Sequence, residues 1–95
     1  MYVVIRKIRT MRNVDEAARR AVAGLGPILK QTPGFRAYHV FDDGHGGGSV
    51  SLFDSREDAV RSHERVVGTA REELGEMAYG APEVTMGETV ALATA

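Results

Sequence analysis

The most regular apolar pattern in the chain covers residues 55–79 and predicts a long amphipathic helix. At about 100° per residue, one side of this helix carries apolar side chains, with a single histidine in their midst. The members of this stripe are Ala59, His63, Val66, Val67, Ala70, Leu74 and Met77. Ser55 and Asp58 have the spacing of a cap at the helix start. We therefore expect a helix that packs on a sheet and places His63 near it.

A second pattern of the same period begins at Asn13 and predicts another helix. Its stripe consists of Val14, Ala18, Ala21, Val22, Leu25, Ile28 and Leu29. Asn13 and Glu16 are spaced as a capping box. Pro27 falls on the polar side, where water can solvate the carbonyl that loses its partner, so we expect one kinked helix rather than two.

Four segments rich in β-branched and aromatic residues predict strands, at residues 2–9, 35–42, 49–54 and about 83–94. In the second strand, strict alternation puts Phe35 and His39 on one face and Tyr38 on the other. The alternation leaves open which face meets the helices. The glycine-rich residues 43–48 predict a hairpin loop, and Gly87 predicts a bulge or bend.

The order strand, helix, strand, strand, helix, strand predicts an α+β fold, the ferredoxin-like βαββαβ sandwich, as a single domain over residues 1–95. Its four-stranded antiparallel sheet carries both helices on one face. The first strand, however, is apolar on both faces. Because a large uncovered apolar face is unusual in a monomer, we expect a homodimer in which two sheets pack together as a dimeric α/β barrel.

Composition narrows the possible partners. The chain has no cysteine, which excludes disulfides and thiolate metal sites, and its net charge of −1 favours neither nucleic acid nor an acidic membrane. Basic residues dominate up to Arg36 but are not interleaved with aromatic residues as a base-stacking surface requires.

The N-terminus does not resemble a signal peptide and no apolar run could span a bilayer, so we expect a cytoplasmic protein. Asp42, Asp43 and His45 lie on a flexible loop, and we expect no metal there.

Two short motifs resemble the antibiotic biosynthesis monooxygenase-like group of dimeric α/β barrels. They are Pro33-Gly34-Phe35-x-x-Tyr38 and Phe53-Asp54-Ser55-x-x-x-Ala59-x-x-x-His63. The resemblance implies a homodimer with a small-molecule cleft between the sheet and helices of each subunit. Some members oxygenate polycyclic aromatic substrates without metal or flavin, so no cofactor is expected. Related barrels degrade haem.

The sequence also departs from that group. Typical members carry glutamate and tryptophan where this chain has Ser51 and Phe53, and the chain has no tryptophan. Where the haem-degrading relatives have a haem-ligating histidine, this chain has residues 71–73, which are Arg, Glu and Glu. Haem degradation is therefore not expected.

His63 is the candidate catalytic residue, as a general base or as a group that orients a phenol. Its alternative role is that of a packed, hydrogen-bonded core histidine. Tyr38, His39, Phe53 and Arg6 are the candidate substrate-binding residues, and Arg6 or Lys7 could place a cation beside an enolate. The alternatives are ordinary aromatic packing for Tyr38 and His39, and an ion pair for Arg6 or Lys7.

Two functions fit these residues. The first is binding of a small hydrophobic or aromatic molecule with its cofactor-independent monooxygenation, since a substrate that forms a stabilised carbanion can itself reduce oxygen. The alternative is a non-catalytic dimeric module that binds a ligand or a partner protein. The sequence does not decide whether the protein is an enzyme.

Overall fold

Eight elements follow one another in the computed structural model, which describes residues 1–8, 10–11, 14–74, 78–79 and 83–95. They are β1 (Tyr2–Ile8), β2 (Thr10–Met11), α1 (Val14–Lys30), β3 (Phe35–Asp42), β4 (Gly47–Phe53), α2 (Arg56–Leu74), β5 (Ala78–Tyr79) and β6 (Glu83–Glu88). The predicted cap at Asn13 and the stripe residue Met77 lie outside the described residues. So do the side chains of residues 67–74.

Four strands form an antiparallel sheet in the order β3-β4-β1-β6, and β2 pairs separately with β5. The parallel strands β1 and β3 are separated by β4, as the right-handed crossovers of the split βαβ unit require. The helices contact each other, α1 contacts β3, and α2 contacts β1 and β4. The predicted ferredoxin-like βαββαβ fold is confirmed.

The core lies between the sheet and the two helices. Val4 and Phe53 project from the sheet against Leu25, Leu29 and other buried residues of α1 and α2. The side of α1 that is buried differs from the predicted stripe, because Ala17 is 1% exposed whereas Val22 is 52% exposed. The difference follows from the position of α1, which packs against α2 as well as β3 and therefore buries the side that faces both.

A β-bulge in β3 changes which residues share a face. Phe35 pairs with Phe53, but the next paired residue is Ala37, opposite Leu52, so Arg36 is the extra residue. Phe35 therefore packs on the core with its ring 6.0 Å from that of Phe53, in an edge-to-face arrangement. The prediction that Phe35 shares a face with His39 was wrong, because strict alternation does not survive a bulge.

The cap of α2 is confirmed, whereas two predicted element ends are wrong. The Ser55 hydroxyl donates to Asp58 Oδ2 at 2.9 Å and accepts from the Asp58 amide at 3.2 Å. α2 ends at Leu74 rather than at Tyr79, which belongs to β5. β6 ends at Glu88 rather than near Thr94, and Gly87 pairs with Val3 without a bulge.

Pro27 lies inside a single helix, as predicted. Within the described residues, neither helix is long and apolar enough to cross a membrane.

Candidate functional site

The strand registers place two rows of side chains across the helix-facing side of the sheet. The first row runs Val40, Ser49, Arg6, Val84 and the second runs Tyr38, Ser51, Val4, Met86. Arg6 thus has the hydroxyl of a serine on one side and an apolar residue on the other. Val84 and Met86 are 43% and 38% exposed, so the apolar end of these rows is accessible.

α2 passes over β1 and brings His63 to Arg6. The guanidinium Nη2 of Arg6 lies 2.7 Å from Nδ1 of His63, in a half-buried hydrogen bond. Burial is the main cause that lowers the pKa of His63, and the adjacent Arg6 cation lowers it further. Burial also lowers the pKa of Arg6, but an arginine side chain remains charged in proteins. The pair therefore consists of a cation and a neutral imidazole.

Tyr38 completes the group from β3, on the same helix-facing side of the sheet as Arg6. Burial raises the pKa of its phenol, while nearby Arg6 and a side-chain hydrogen bond with Ser49 oppose that rise. Tyr38 is thus a neutral phenol beside a cation. We call Arg6, Tyr38, Ser49 and His63 the Arg6 cluster.

The charge of Arg6 has no counter-charge among the residues that the structure describes. The ion pairs there join other residues, and the side-chain hydrogen bond of Arg6 goes to the uncharged His63. A half-buried charge without a partner is costly to desolvate. This arrangement is suited to a negatively charged or strongly polar oxygen of a bound molecule.

Lys7 is in a different situation on the opposite face of the sheet. Its ammonium group pairs with Asp43 and lies 6.0 Å from the centre of the Phe41 ring. Of the two candidate cations, Lys7 therefore makes an ion pair, and Arg6 makes none with a described residue. Asp42 is the exposed last residue of β3, Asp43 and His45 lie on the exposed hairpin loop, and no three potential metal ligands meet within the described residues.

The other predicted site residues lie apart from the Arg6 cluster. Phe53 is 2% exposed and belongs to the core. His39 is exposed and pairs with Val50 on the face that carries no helix. The structure therefore brings together Arg6, Tyr38 and His63 and leaves His39 on the other side of the sheet. Ser51 is fully buried between Tyr38 and Val4.

Sequence reasoning missed Ser49, Val84 and Met86 as neighbours of Arg6. The even spacing of Val84 and Met86 indicates that they share a face, but only the strand register shows that this face carries Arg6. Ser49 was predicted to begin a strand, but only the strand register shows that it lies opposite Arg6.

A separate open groove of about 430 Å³ is lined by Ala18, Arg19, Val22, Ala23 and Val40. None of these lining residues belongs to the Arg6 cluster.

The chain resembles known proteins in structure but not detectably in sequence. No protein-family model and no curated protein sequence matches it. A putative antibiotic biosynthesis monooxygenase from Bordetella bronchiseptica is 15% identical, with a TM-score of 0.75 over 95% of this chain and 97% of that one. A monooxygenase of Streptomyces coelicolor, solved with nanaomycin D, is 13% identical, with a TM-score of 0.75 over 99% of this chain and 91% of that one.

A third similar structure is MhuD, of which a variant was solved with two manganese protoporphyrin IX molecules per active site. It is 15% identical, with a TM-score of 0.76 over 100% of both chains. At such identities the likeness concerns the fold. Over nearly its whole length, the chain has the fold of the antibiotic biosynthesis monooxygenases.

Proposed function

We propose that the protein binds a small aromatic molecule at the Arg6 cluster, between the sheet and α2. The observation that carries this proposal is the half-buried Arg6 cation, which has no described counter-charge. On one side of it lie the donors Tyr38 and Ser49, and on the other lie the exposed apolar side chains of β6. Ligand sites generally combine a few placed polar groups with an apolar wall. The structurally similar monooxygenase with bound nanaomycin D supports an aromatic ligand.

The reaction that fits such a ligand is monooxygenation without a cofactor. A phenolic substrate with an activated CH₂ group loses a proton to give a stabilised carbanion, which transfers electrons to O₂. One oxygen atom then becomes the new carbonyl, the other leaves as water with both hydrogens, and the substrate supplies all the electrons. The protein would orient the substrate, stabilise its negative charge through Arg6 and exclude water.

The first experiment is equilibrium binding of hydroxylated anthrones and naphthols, followed by fluorescence. Arg6→Gln should weaken binding at least tenfold, because it removes a charge-assisted hydrogen bond of about 1.5–3 kcal/mol. Arg61→Gln is the matched control, since Arg61 is an exposed arginine of α2. Equal affinity of wild type and Arg6→Gln would place the ligand elsewhere.

The second experiment separates an enzyme from a non-catalytic module. An oxygen electrode should record oxygen consumption with the bound anthrones or naphthols, and His63→Ala should lower it at least tenfold, through the loss of a hydrogen bond to a charged oxygen, while circular dichroism shows an intact fold. Binding without any oxygen consumption would instead support the alternative, a non-catalytic ligand-binding module.

A second copy of the chain is the proposed partner. The face of the sheet opposite the helices carries Val3, Ile5, Val50 and Leu52, and Ile5 is 38% exposed. Two such faces packed together would bury these residues, with His39 beside them, and would form the dimeric α/β barrel implied by the resemblance. Ile5→Glu should convert the dimer to a monomer in sedimentation velocity, whereas a monomeric wild type at micromolar concentration would contradict the proposal.

A further inference from the structure

The hydrogen bond between Arg6 and His63 determines which imidazole nitrogen carries the proton. A guanidinium can only donate, so Nδ1 of His63, 2.7 Å from Arg6 Nη2, must accept with its lone pair. In the neutral ring the proton then resides on Nε2. His63 therefore presents to a ligand an N–H donor rather than a lone pair.

This tautomer is unsuited to a general base. A base must offer a free lone pair to the proton that it accepts, and the lone pair of this ring is already bound to a cation. Protonation of His63 would place an imidazolium against the Arg6 guanidinium. Among the described residues, the charged and titratable groups facing His63 are Arg6 from β1 and Glu64 from α2, with Tyr38 close to Arg6 on β3. Burial and Arg6 both lower the pKa of His63, which keeps the ring neutral near pH 7.

The Arg6 cluster thus contains one permanent cation and several donors. Tyr38 is a neutral phenol whose pKa is raised by burial, so it too is a donor rather than a base. A site of this composition stabilises negative charge on a ligand oxygen and offers no group in the cluster to remove a proton from it.

We propose that the site takes its aromatic ligand as a preformed oxyanion, with the Arg6 guanidinium on the negative oxygen and His63 donating from Nε2. This inference rests on the proposed function and names its ligand class, an aromatic phenolate or carboxylate. The ligand's proton goes to solvent on binding and not to His63. Arg6 is the specificity-determining residue, and His63 is a ligand-binding donor that Arg6 orients.

The number of protons released on binding tests this inference. Para-nitrophenol is titrated into the protein by calorimetry at a pH below the probe's own pKa, in buffers of different ionisation enthalpy. We expect about one proton released per ligand, because the complex holds the anion and a neutral imidazole. No net release would show that His63 took the proton or that the neutral phenol bound, and either result overturns the inference.

Naphthoate provides the second arm, because it is already an anion at neutral pH. It should bind with no proton taken up, whereas uptake of about one proton would reveal an imidazolium in the complex and contradict the inference. Binding of naphthoate alone identifies the ligand as a carboxylate, and binding of nitrophenolate alone identifies it as a phenolate. If neither probe binds, the proposed function fails, which differs from binding with the wrong proton count.

Two substitutions of His63 locate the donor. The amide nitrogen of glutamine occupies roughly the place of Nε2, whereas the asparagine amide reaches only that of Nδ1. His63→Gln should therefore keep the ligand affinity within about threefold of wild type. His63→Asn should lower the affinity about tenfold or more, because a hydrogen bond to a charged group is lost. Equal losses in both variants would contradict a donor at Nε2. Nitrogen-15 NMR of the free protein should show Nε2 protonated and Nδ1 unprotonated, independently of any ligand.

Discussion

Replacing Gly34 with alanine tests how the turn before β3 fixes the start of α2. Gly34 has a φ of 79°, and a Cβ added there would overlap the carboxylate of Asp58. That carboxylate accepts a hydrogen bond from the Ser55 hydroxyl, and Ser55 and Asp58 together cap the start of α2. The turn is also joined to the end of β4, because the Asp54 amide donates to the Gly34 carbonyl at 2.8 Å. A side chain at this position therefore disturbs the helix that carries His63.

The size of the effect follows from two contributions. A left-handed conformation costs a non-glycine residue about 1–2 kcal/mol. Displacement of Asp58 weakens the cap by about 1 kcal/mol and adds overlap strain of similar size. We expect Gly34→Ala to lower the free energy of unfolding by about 3 kcal/mol. Gly44 is the matched control, since its φ is 86° but nothing lies within 4 Å of an added Cβ. Gly44→Ala should cost only about 1 kcal/mol.

Urea denaturation followed by circular dichroism measures the free energy of unfolding of both variants. An unchanged m, the slope of that free energy against urea concentration, checks that each variant unfolds in the same transition as the wild type. In an Asp58→Ala background, Gly34→Ala should cost clearly less than in the wild type, because the overlapping carboxylate is gone and only the Cβ of residue 58, at 3.0 Å, still crowds the added methyl group. Equal destabilisation by the two glycine substitutions in the wild type would refute the reasoning, since it would leave only the backbone conformation as the cause.

Three further predictions concern the sheet and the Arg6 cluster. By NMR titration, His63 should show a pKa below that of an ordinary histidine. The unfolded chain then binds the proton more readily than the folded one, so the free energy of unfolding should fall as the pH drops from the ordinary histidine pKa towards the lowered one. Tyr38→Phe should cost about 1 kcal/mol in urea denaturation by leaving the Ser49 hydroxyl without its partner, and adding Ser49→Ala should recover part of that loss. Gly48→Ala should lower the thermal midpoint by an amount equivalent to about 3 kcal/mol, because its Cβ would lie 2.6 Å from a carbonyl oxygen of β1, whereas Gly87→Ala, in open space, should leave it nearly unchanged.

The fold could be predicted because apolar periodicity determines element type and short connections restrict topology. Besides the face of Phe35 and the buried side of α1, the errors lie at element ends. α2 ends at Leu74, whereas the apolar stripe continues in the sequence to Met77, so the stripe alone predicted a helix that is too long. The residues after Glu88 alternate like a strand, but within the described residues β6 ends opposite Tyr2, and one further backbone hydrogen bond joins the Thr89 amide to the Met1 carbonyl at 2.8 Å.

The site could be predicted only in part, because its assembly depends on strand register. Arg6, Tyr38 and His63 were identifiable as unusual residues for their patterns, and they do lie together. The choice between Tyr38 and His39 could not be made, since a shift of one residue exchanges the two faces of a strand. The bulge at Arg36 introduces such a shift within β3, and the sequence carries no clear signal for it.

A comparison of two adjacent residues of β1 supports the proposal of a ligand at Arg6. Lys7 lies on the other face, where Asp43 neutralises it, and this is the ordinary arrangement of a strand cation. Arg6 lies instead between Ser49 and Val84 under α2, and its described side-chain hydrogen bond goes to a neutral ring. If the position served stability alone, an apolar side chain like its row neighbours Val40 and Val84 would avoid the cost of desolvating a charge. In the proposed complex a bound oxyanion would remove that cost, and His63 would act as a hydrogen-bond donor, a role that its place in the helix pattern does not reveal.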